Sequence, residues 1–214
     1  MSFSTILFDF DGTVFDTVEG ITKSVQYAAR KHGLDAELSE LRCFAGPPLL
    51  DMFMEKFSVD EEQARQLTAD FRERYNPIGL YECRVFPGVR ELAEHLRAAG
   101  KKLGIATSKP HRLAETLLGR EDMLGLFDVI SGAGDQGEGN AKSQVILRAI
   151  EALGAAPEDT VLIGDTKYDV FGANQVGVPC IGVRYGYALP GEMEAAGALC
   201  MAADCEDLEK MLLK

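Results

Sequence analysis

The stretch Thr5-Ile-Leu-Phe-Asp-Phe-Asp-Gly-Thr-Val-Phe-Asp16 is an apolar, aromatic-rich run that closes at Gly12. That pattern belongs to a buried strand ending in a turn. Asp9 and Asp11 stand two residues apart, so strand alternation points both carboxylates to one side at the strand's carboxyl end. Placed there, they repel each other and resist burial unless a cation lies between them or one holds a proton. Oxygen ligands of this hardness suit Mg²⁺, which takes one or two carboxylates together with substrate phosphate oxygens. A surface strand end with Asp11-Gly12 as a turn pair fits the same residues, so the rest of the chain has to decide.

A chain of 214 residues is one large domain, or a core domain with a smaller insert. Its net charge of −12 argues against nucleic acid or an anionic membrane as a partner, because phosphate backbones and headgroups call for a basic face. A small phosphorylated metabolite remains open if the positive charge is local or a metal supplies it. No apolar run approaches the ~20 residues of a membrane span, and the start lacks a basic segment and is broken by Asp9 and Asp11, which is unlike a signal peptide. Cys43, Cys83, Cys180, Cys200 and Cys205 show no CxxC spacing. Reduced thiols in a cytoplasmic protein are expected, with no zinc site or disulfide framework.

From about Thr17 to Leu80 the pattern is helical. Val18, Ile21, Val25, Ala28 and Ala29 recur at helical spacing before His32-Gly33. Leu49, Leu50, Phe53, Met54 and Phe57 follow Gly46-Pro47-Pro48, and Ala64, Leu67, Phe71 and Tyr75 follow Ser58 and Asp60. From Val85 helices and strands alternate. Strands are expected at 101–107, 127–130, 160–163 and 179–183, with a short one near Leu199 before a terminal helix over 206–212. Such alternation over short loops means α/β class, a doubly wound parallel sheet. The expected organisation is a core of residues 1–16 and 81–214, with residues 17–80 inserted as a helical domain standing over the strands' carboxyl ends. Ligands bind at those ends in open sheets of this kind.

Three more strand ends carry polar groups. Thr107 and Ser108 end an apolar strand, and Pro110 is read as opening a helix whose free N–H groups would attract an anion; Ser108 as a plain helix cap is the alternative. Lys142 starts a helix, where the dipole disfavours a cation, which hints at an anionic partner, although a solvated lysine fits as well. Val161-Leu-Ile-Gly164-Asp165-Thr-Lys-Tyr-Asp169 ends another apolar strand in a carboxylate. With a helix beginning after Asp165, Asp169 lies one turn on, on nearly the same side; Asp165 as an N-cap is the alternative. Gly132-Ala-Gly134-Asp-Gln-Gly137 matches G-x-G-x-x-G, but it follows the third core strand and its helix starts too late for a dinucleotide site. It is read as a flexible loop carrying Lys142 inward.

Taken together, these motifs resemble the haloacid dehalogenase superfamily of phosphatases along essentially the whole chain. Asp9-Phe-Asp11-Gly-Thr is similar to the family's DxDGT motif, Thr107 to the second motif, Lys142 to the third, and Gly164-Asp165-Thr-Lys-Tyr-Asp169 to the fourth. The insert resembles the family's helical cap. Gly46-Pro-Pro-Leu, Ala106-Thr-Ser-Lys-Pro110 and Gly182-Val-Arg-Tyr-Gly186 are similar to the phosphoglycolate-phosphatase-like branch, which includes nucleotidase-like members. Ser108 replaces the usual Asn there. The resemblance implies a Rossmann-like core and a Mg²⁺-dependent phosphatase of small phosphomonoesters, with Asp9 as nucleophile forming an aspartyl-phosphate and Asp11 as general acid and base. It further implies Gly12, Thr107, Ser108 and Lys142 on the phosphate. Asp9, Asp11 (through its carbonyl), Asp165 and Asp169 are implied around the metal. Arg42, beside the Phe44-Ala-Gly46-Pro47 loop, is a candidate substrate contact, with a plain surface arginine as the alternative. A 5′-nucleotidase-like phosphatase and a phosphomutase are the alternatives. A receiver-type signalling domain would be shorter and lack the insert, and a halide-removing enzyme would not need Asp11. A monomer or homodimer is expected.

Overall fold

A computed structural model describes residues 3–135 and 138–213. The chain forms two compact units, one of Met1–Phe15 with Val85–Lys214 and the other of Asp16–Arg84. The divisions fall at 15/16 and 84/85, where the pattern of the sequence placed them at 16/17 and 80/81.

The larger unit starts with β1 (Thr5–Phe8), buried throughout. A separate two-stranded sheet consists of β2 (Phe15–Asp16) and β3 (Arg84–Val85); the sequence offered no periodic run long enough to announce either strand. Between them in the chain lie α1 (Val18–Lys31), α2 (Leu49–Phe57) and α3 (Glu61–Tyr75). After β3 come α4 (Val89–Ala98), β4 (Lys102–Pro110), α5 (His111–Arg120), β5 (Val129–Ala133), α6 (Lys142–Leu153), β6 (Thr160–Gly164), α7 (Lys167–Gln175), β7 (Cys180–Val183), α8 (Glu192–Ala196), β8 (Cys200–Ala202) and α9 (Cys205–Leu212).

The main sheet runs β5-β4-β1-β6-β7-β8, every pair parallel. Counting its six strands in chain order gives 3-2-1-4-5-6, the doubly wound order whose switch point lies between the first strand and the fourth. Here that is the gap beyond β1 and β6. Phe8 is in register with Ile105 on one side and Ile163 on the other, so Asp9, Thr107 and Asp165 leave the sheet at one edge. Continuous apolar runs in β1 and β6 are what strands covered on both faces require. Leu7, Ala106 and Leu162 are buried with Val145, Ile146, Val170 and Met193 from α6, α7 and α8. Residues of alternate parity, such as Phe8, point to the opposite face, and Phe8 meets Phe127 edge-on with centroids 6.0 Å apart.

Three details of the core differ from the sequence reading. Pro110 ends β4 and caps α5, which starts at His111; an extended ψ of 128° and the lack of an N–H suit a strand's last residue next to a helix. The helix after β6 starts at Lys167, with Thr166 as its N-cap. α8, at five residues, is too short to show a periodic signature. Of the glycine-rich motif, Gly132 is strand, whereas Gly137 lies outside the described residues.

In the helical unit, α1 buries Ile21, Val25, Ala28 and Ala29 as its spacing foretold, and ends at His32. Asp60 caps α3 by accepting from the Gln63 N–H at 2.9 Å. Ser58, expected to help open α3, instead ends α2 in the left-handed conformation at φ 54°. Phe44 packs on Phe53 at 4.9 Å. Arg74 grips Glu82 with both ends of its guanidinium, at 2.9 and 3.1 Å, and holds that carboxyl below its usual pKa. Among the described residues no helix is long and apolar enough to cross a membrane.

The tightest contact of this unit is backbone against backbone. A Cβ on Gly20 would stand 1.9 Å from the Gly79 carbonyl oxygen, so α1 rests directly on the segment that follows α3. We expect Gly20→Ala to destabilise the protein by about 1–3 kcal/mol, as overpacking does, read as a lower urea midpoint. An unchanged midpoint would mean that the two segments separate easily.

Candidate active site

The ladder continues one step past β1: the Asp9 N–H donates to the Ile163 carbonyl at 2.8 Å, which pins Asp9 at the switch point. Its buried carboxylate accepts from Lys142 Nζ at 2.5 Å. The same ammonium stands 2.7 Å from Asp169 Oδ1 and donates to the Ala106 carbonyl at 3.1 Å. Lys142 opens α6 against the helix dipole because its partners are anions brought from β1 and α7. Gly172 lets α7 close on it, since a Cβ there would lie 2.5 Å from the lysine's Cβ and Cγ.

Asp165 follows β6 and is fully buried. One oxygen accepts from the Tyr187 N–H at 2.8 Å, the other from the Thr13 hydroxyl at 3.3 Å. Glycines clear the space around it: a Cβ on Gly12, at φ +86°, would stand 2.1 Å from Asp165 Oδ2, and one on Gly186 would stand 2.2 Å from Asp165 Cβ. Asp169 Oδ2 accepts from the N–H of Asp165 and from the N–H and hydroxyl of Thr166, at 3.1, 3.0 and 3.1 Å, closing a capping box on α7. Its Oδ1, although close to the Lys142 ammonium, is buried without a hydrogen bond.

Ligand atoms of Asp9, Asp165 and Asp169 all lie within 4.8 Å of one another. Burial, opposed by Lys142 and reinforced by Asp169, pushes the Asp9 carboxyl up to about 7. Burial and the neighbouring carboxylates Asp169 and Asp9 push Asp165 well above the carboxylate range. Burial alone would lower the Lys142 pKa, but Asp169 and Asp9 more than reverse it and raise it. Three buried carboxylates against one ammonium leave excess negative charge, and Asp169 Oδ1 has the Lys142 ammonium, at 2.7 Å, beside it. An all-oxygen donor set of this kind fits a hard divalent cation such as Mg²⁺.

Asp11 has a cation of its own. The strand ends at Phe8, Phe10 stacks on Phe15 at 4.7 Å, and Asp11 stays near enough to Asp9 to add to the repulsion that raises its pKa. The Asp11 carboxylate pairs with Lys109 Nζ at 3.0 Å. Lys109 has no mark in the local sequence pattern to single it out, and its side chain is only 4% exposed. Thr13 and the Tyr187 N–H were also missed. Thr13 belongs to the motif after Asp11, whereas a backbone donor such as that of Tyr187 leaves no trace in side-chain identity. Thr107 is buried, its Oγ accepting from the Lys109 N–H at 3.1 Å. The Ser108 hydroxyl donates to the Asn140 carbonyl at 2.7 Å and anchors the loop leading to Lys142. Arg42 is exposed in a short 3₁₀ turn of the helical unit. His32 meets Asp70 at 2.8 Å, while His95 and His111 are exposed.

A family model described as haloacid dehalogenase-like hydrolase matches residues 6–183. The chain belongs to that family. It is 39% identical over 213 residues to a 5′-nucleotidase of Pseudomonas aeruginosa, covering 99% of this chain and 96% of the relative. It is 32% identical over 197 residues to the pyrophosphatase PpaX of Halalkalibacterium halodurans, covering 90% and 87%. The crystal structure of a predicted phosphatase from Clostridium acetobutylicum superposes with a TM-score of 0.96 at 37% identity, covering 100% of this chain and 99% of that one. Family and relatives together make this haloacid dehalogenase-like protein an enzyme of the phosphatase class.

The raised carboxyl pKa values have a consequence for stability. Asp9 holds its proton up to about pH 7 in the folded state against an ordinary value of 3.8. Between those values the folded state therefore binds more protons than the unfolded one, and this contribution falls as pH rises. A divalent cation bound there would relieve the repulsion that remains once the group is ionised. Mg²⁺ held at about a hundred times its dissociation constant would add about 2.7 kcal/mol. We expect the Mg²⁺-induced rise in Tm to be larger near pH 8 than near pH 5.5, and to be largely lost in Asp165→Asn. Equal rises at both pH values would mean that the ion sits elsewhere.

Proposed function

We propose that this chain is a Mg²⁺-dependent phosphatase of small phosphomonoesters that works through an aspartyl-phosphate on Asp9. The observation that carries the reading is the pairing pattern. One carboxylate at the switch point is held by a buried lysine among two further carboxylates, and a second, two residues on, is held apart by a lysine of its own. A nucleophile and a separate proton-transfer group need that division of environments.

An Asp9 oxygen attacks phosphorus in line, and the bond from phosphorus to the ester oxygen breaks. The Asp11 carboxyl gives its proton to the departing oxygen, which leaves as an alcohol. Water then gives a proton to the Asp11 carboxylate and attacks the phosphoryl group, so that inorganic phosphate departs and Asp9 is restored. The Lys142 hydrogen bond favours the ionised Asp9 that must attack, and its ammonium, with the Thr107 hydroxyl proton, holds charge on the transferring oxygens. Asp9, the Asp11 carbonyl, Asp165 and Asp169 would hold Mg²⁺. Its positive charge keeps the carboxylates ionised and offsets repulsion between nucleophile and phosphate.

The motifs around Pro47, Thr107 and Arg184 favour phosphoglycolate as substrate. The 39% identity to a 5′-nucleotidase favours a second reading, nucleoside 5′-monophosphates. The test is phosphate release from a panel holding both classes together with sugar phosphates, in Mg²⁺ and in EDTA. We expect release that needs the metal and falls by several orders of magnitude in Asp9→Asn, as it does on loss of a nucleophile. Release that survives in Asp9→Asn would remove Asp9 from the role, and conversion of a substrate to its isomer without free phosphate would turn the reading to a phosphomutase.

A further inference from the structure

Lys109 is a buried cation with an unexplained address. β4 and β5 pair in regular register up to Ala106 with Ser131, then resume at Pro110 with Ala133. Four steps on one strand therefore match two on the other, a bulge of the kind that re-aims side chains next to functional sites. The bulge is built in: the Thr107 hydroxyl oxygen accepts from the Lys109 N–H at 3.1 Å, and Gly132 leaves room, since a Cβ there would lie 2.8 Å from the Lys109 carbonyl oxygen. Its product is a lysine side chain 4% exposed, its ammonium 5.7 Å from the centroid of the Phe10 ring. That ammonium reaches both oxygens of Asp11, at 3.0 and 3.4 Å. Burying an ammonium is costly without a partner, and here it pairs with Asp11, a carboxylate outside the Asp9, Asp165 and Asp169 cluster.

We propose that Lys109 is a positioning residue for Asp11, fixing that carboxylate for proton transfer with the leaving alcohol. The inference rests on the phosphatase reading of Asp11. Asp11 sits in the turn between Phe10 and Phe15, where the Gly12 N–H donates to the Phe15 carbonyl at 2.8 Å, and the rigid bulge on the neighbouring strand sets the orientation of its carboxylate. Asp11 gives one proton to the ester oxygen as its bond to phosphorus breaks, is left as a carboxylate paired with the ammonium, and recovers a proton from the attacking water.

The experiment compares two esters that differ in their need for that proton. A primary alkyl phosphate expels a strongly basic alkoxide unless it is protonated, whereas p-nitrophenyl phosphate expels a stabilised phenolate. The parameter is kcat/KM, which reports the steps up to departure of the first product. Lys109→Met is expected to lower kcat/KM for the alkyl ester by about tenfold or more beyond its loss on the aryl ester, part of the about 10²–10⁴-fold that positioned acid–base groups supply. In an Asp11→Asn background the same change should cost little more, because residues that act through one another are not additive. If Lys109→Met does not fold, as judged by its melting transition, Lys109→Gln, which keeps most of the stem, takes its place. Equal losses on both esters would assign Lys109 to phosphate binding or to the fold, and additive losses in the double variant would separate it from Asp11. Either result overturns the proposal. A wild-type protein that hydrolyses neither ester overturns the phosphatase reading as well, and so is told apart from a failure of the positioning role alone.

Discussion

Three carboxylates buried around one ammonium are the constraint on which the core depends. Asp9, Asp165 and Asp169 come from the end of β1, the end of β6 and the first turn of α7, and Lys142 from the first turn of α6. No pair among them is local except Asp165 with Asp169, so the cluster exists only when the sheet and both helices are in place. Its charge does not balance internally, and the raised pKa values of Asp9 and Asp165 express that. Such groups are kept where function needs them, since well-packed apolar residues would serve stability as well or better.

The surrounding chain is shaped to make that burial possible. Gly12 and Gly186 leave Asp165 its space, Gly164 leaves Asp169 its own, and Gly172 lets α7 press on the Lys142 stem. Each of these glycines adjoins a charged side chain because a Cβ would occupy the volume the charge uses. Asp169 serves two ends at once. One oxygen closes the capping box of α7 and the other is left toward the cluster, so the fold of that helix and the charge of the site are coupled through one residue.

Much of this was legible in the residues themselves. The apolar runs before Asp9 and Asp165 read as buried strands because strands covered on both faces have no polar alternation to confuse the pattern. Lys142 read as unusual because its place opposes the helix dipole. Other features were not legible. That the Ser108 hydroxyl ties down the loop at Asn140 is one of them. Asp9 and Asp11 do influence each other, but each takes a different lysine as its partner. Nor does anything in the stretch 106–110 announce that the bulge in β4 turns Lys109 inward.

By itself the sequence determined the class of fold, the chain order of the main sheet's strands and of the longer helices, and which carboxylates and lysine stand at strand and helix ends, because hydrophobic period and chain punctuation are local properties. Only the tertiary structure decided which cation meets which carboxylate. Those pairings join residues 133 apart for Lys142 with Asp9 and 98 apart for Lys109 with Asp11. They follow from strand register, a bulge and the close approaches that glycines permit, none of which leaves a periodic mark on the chain.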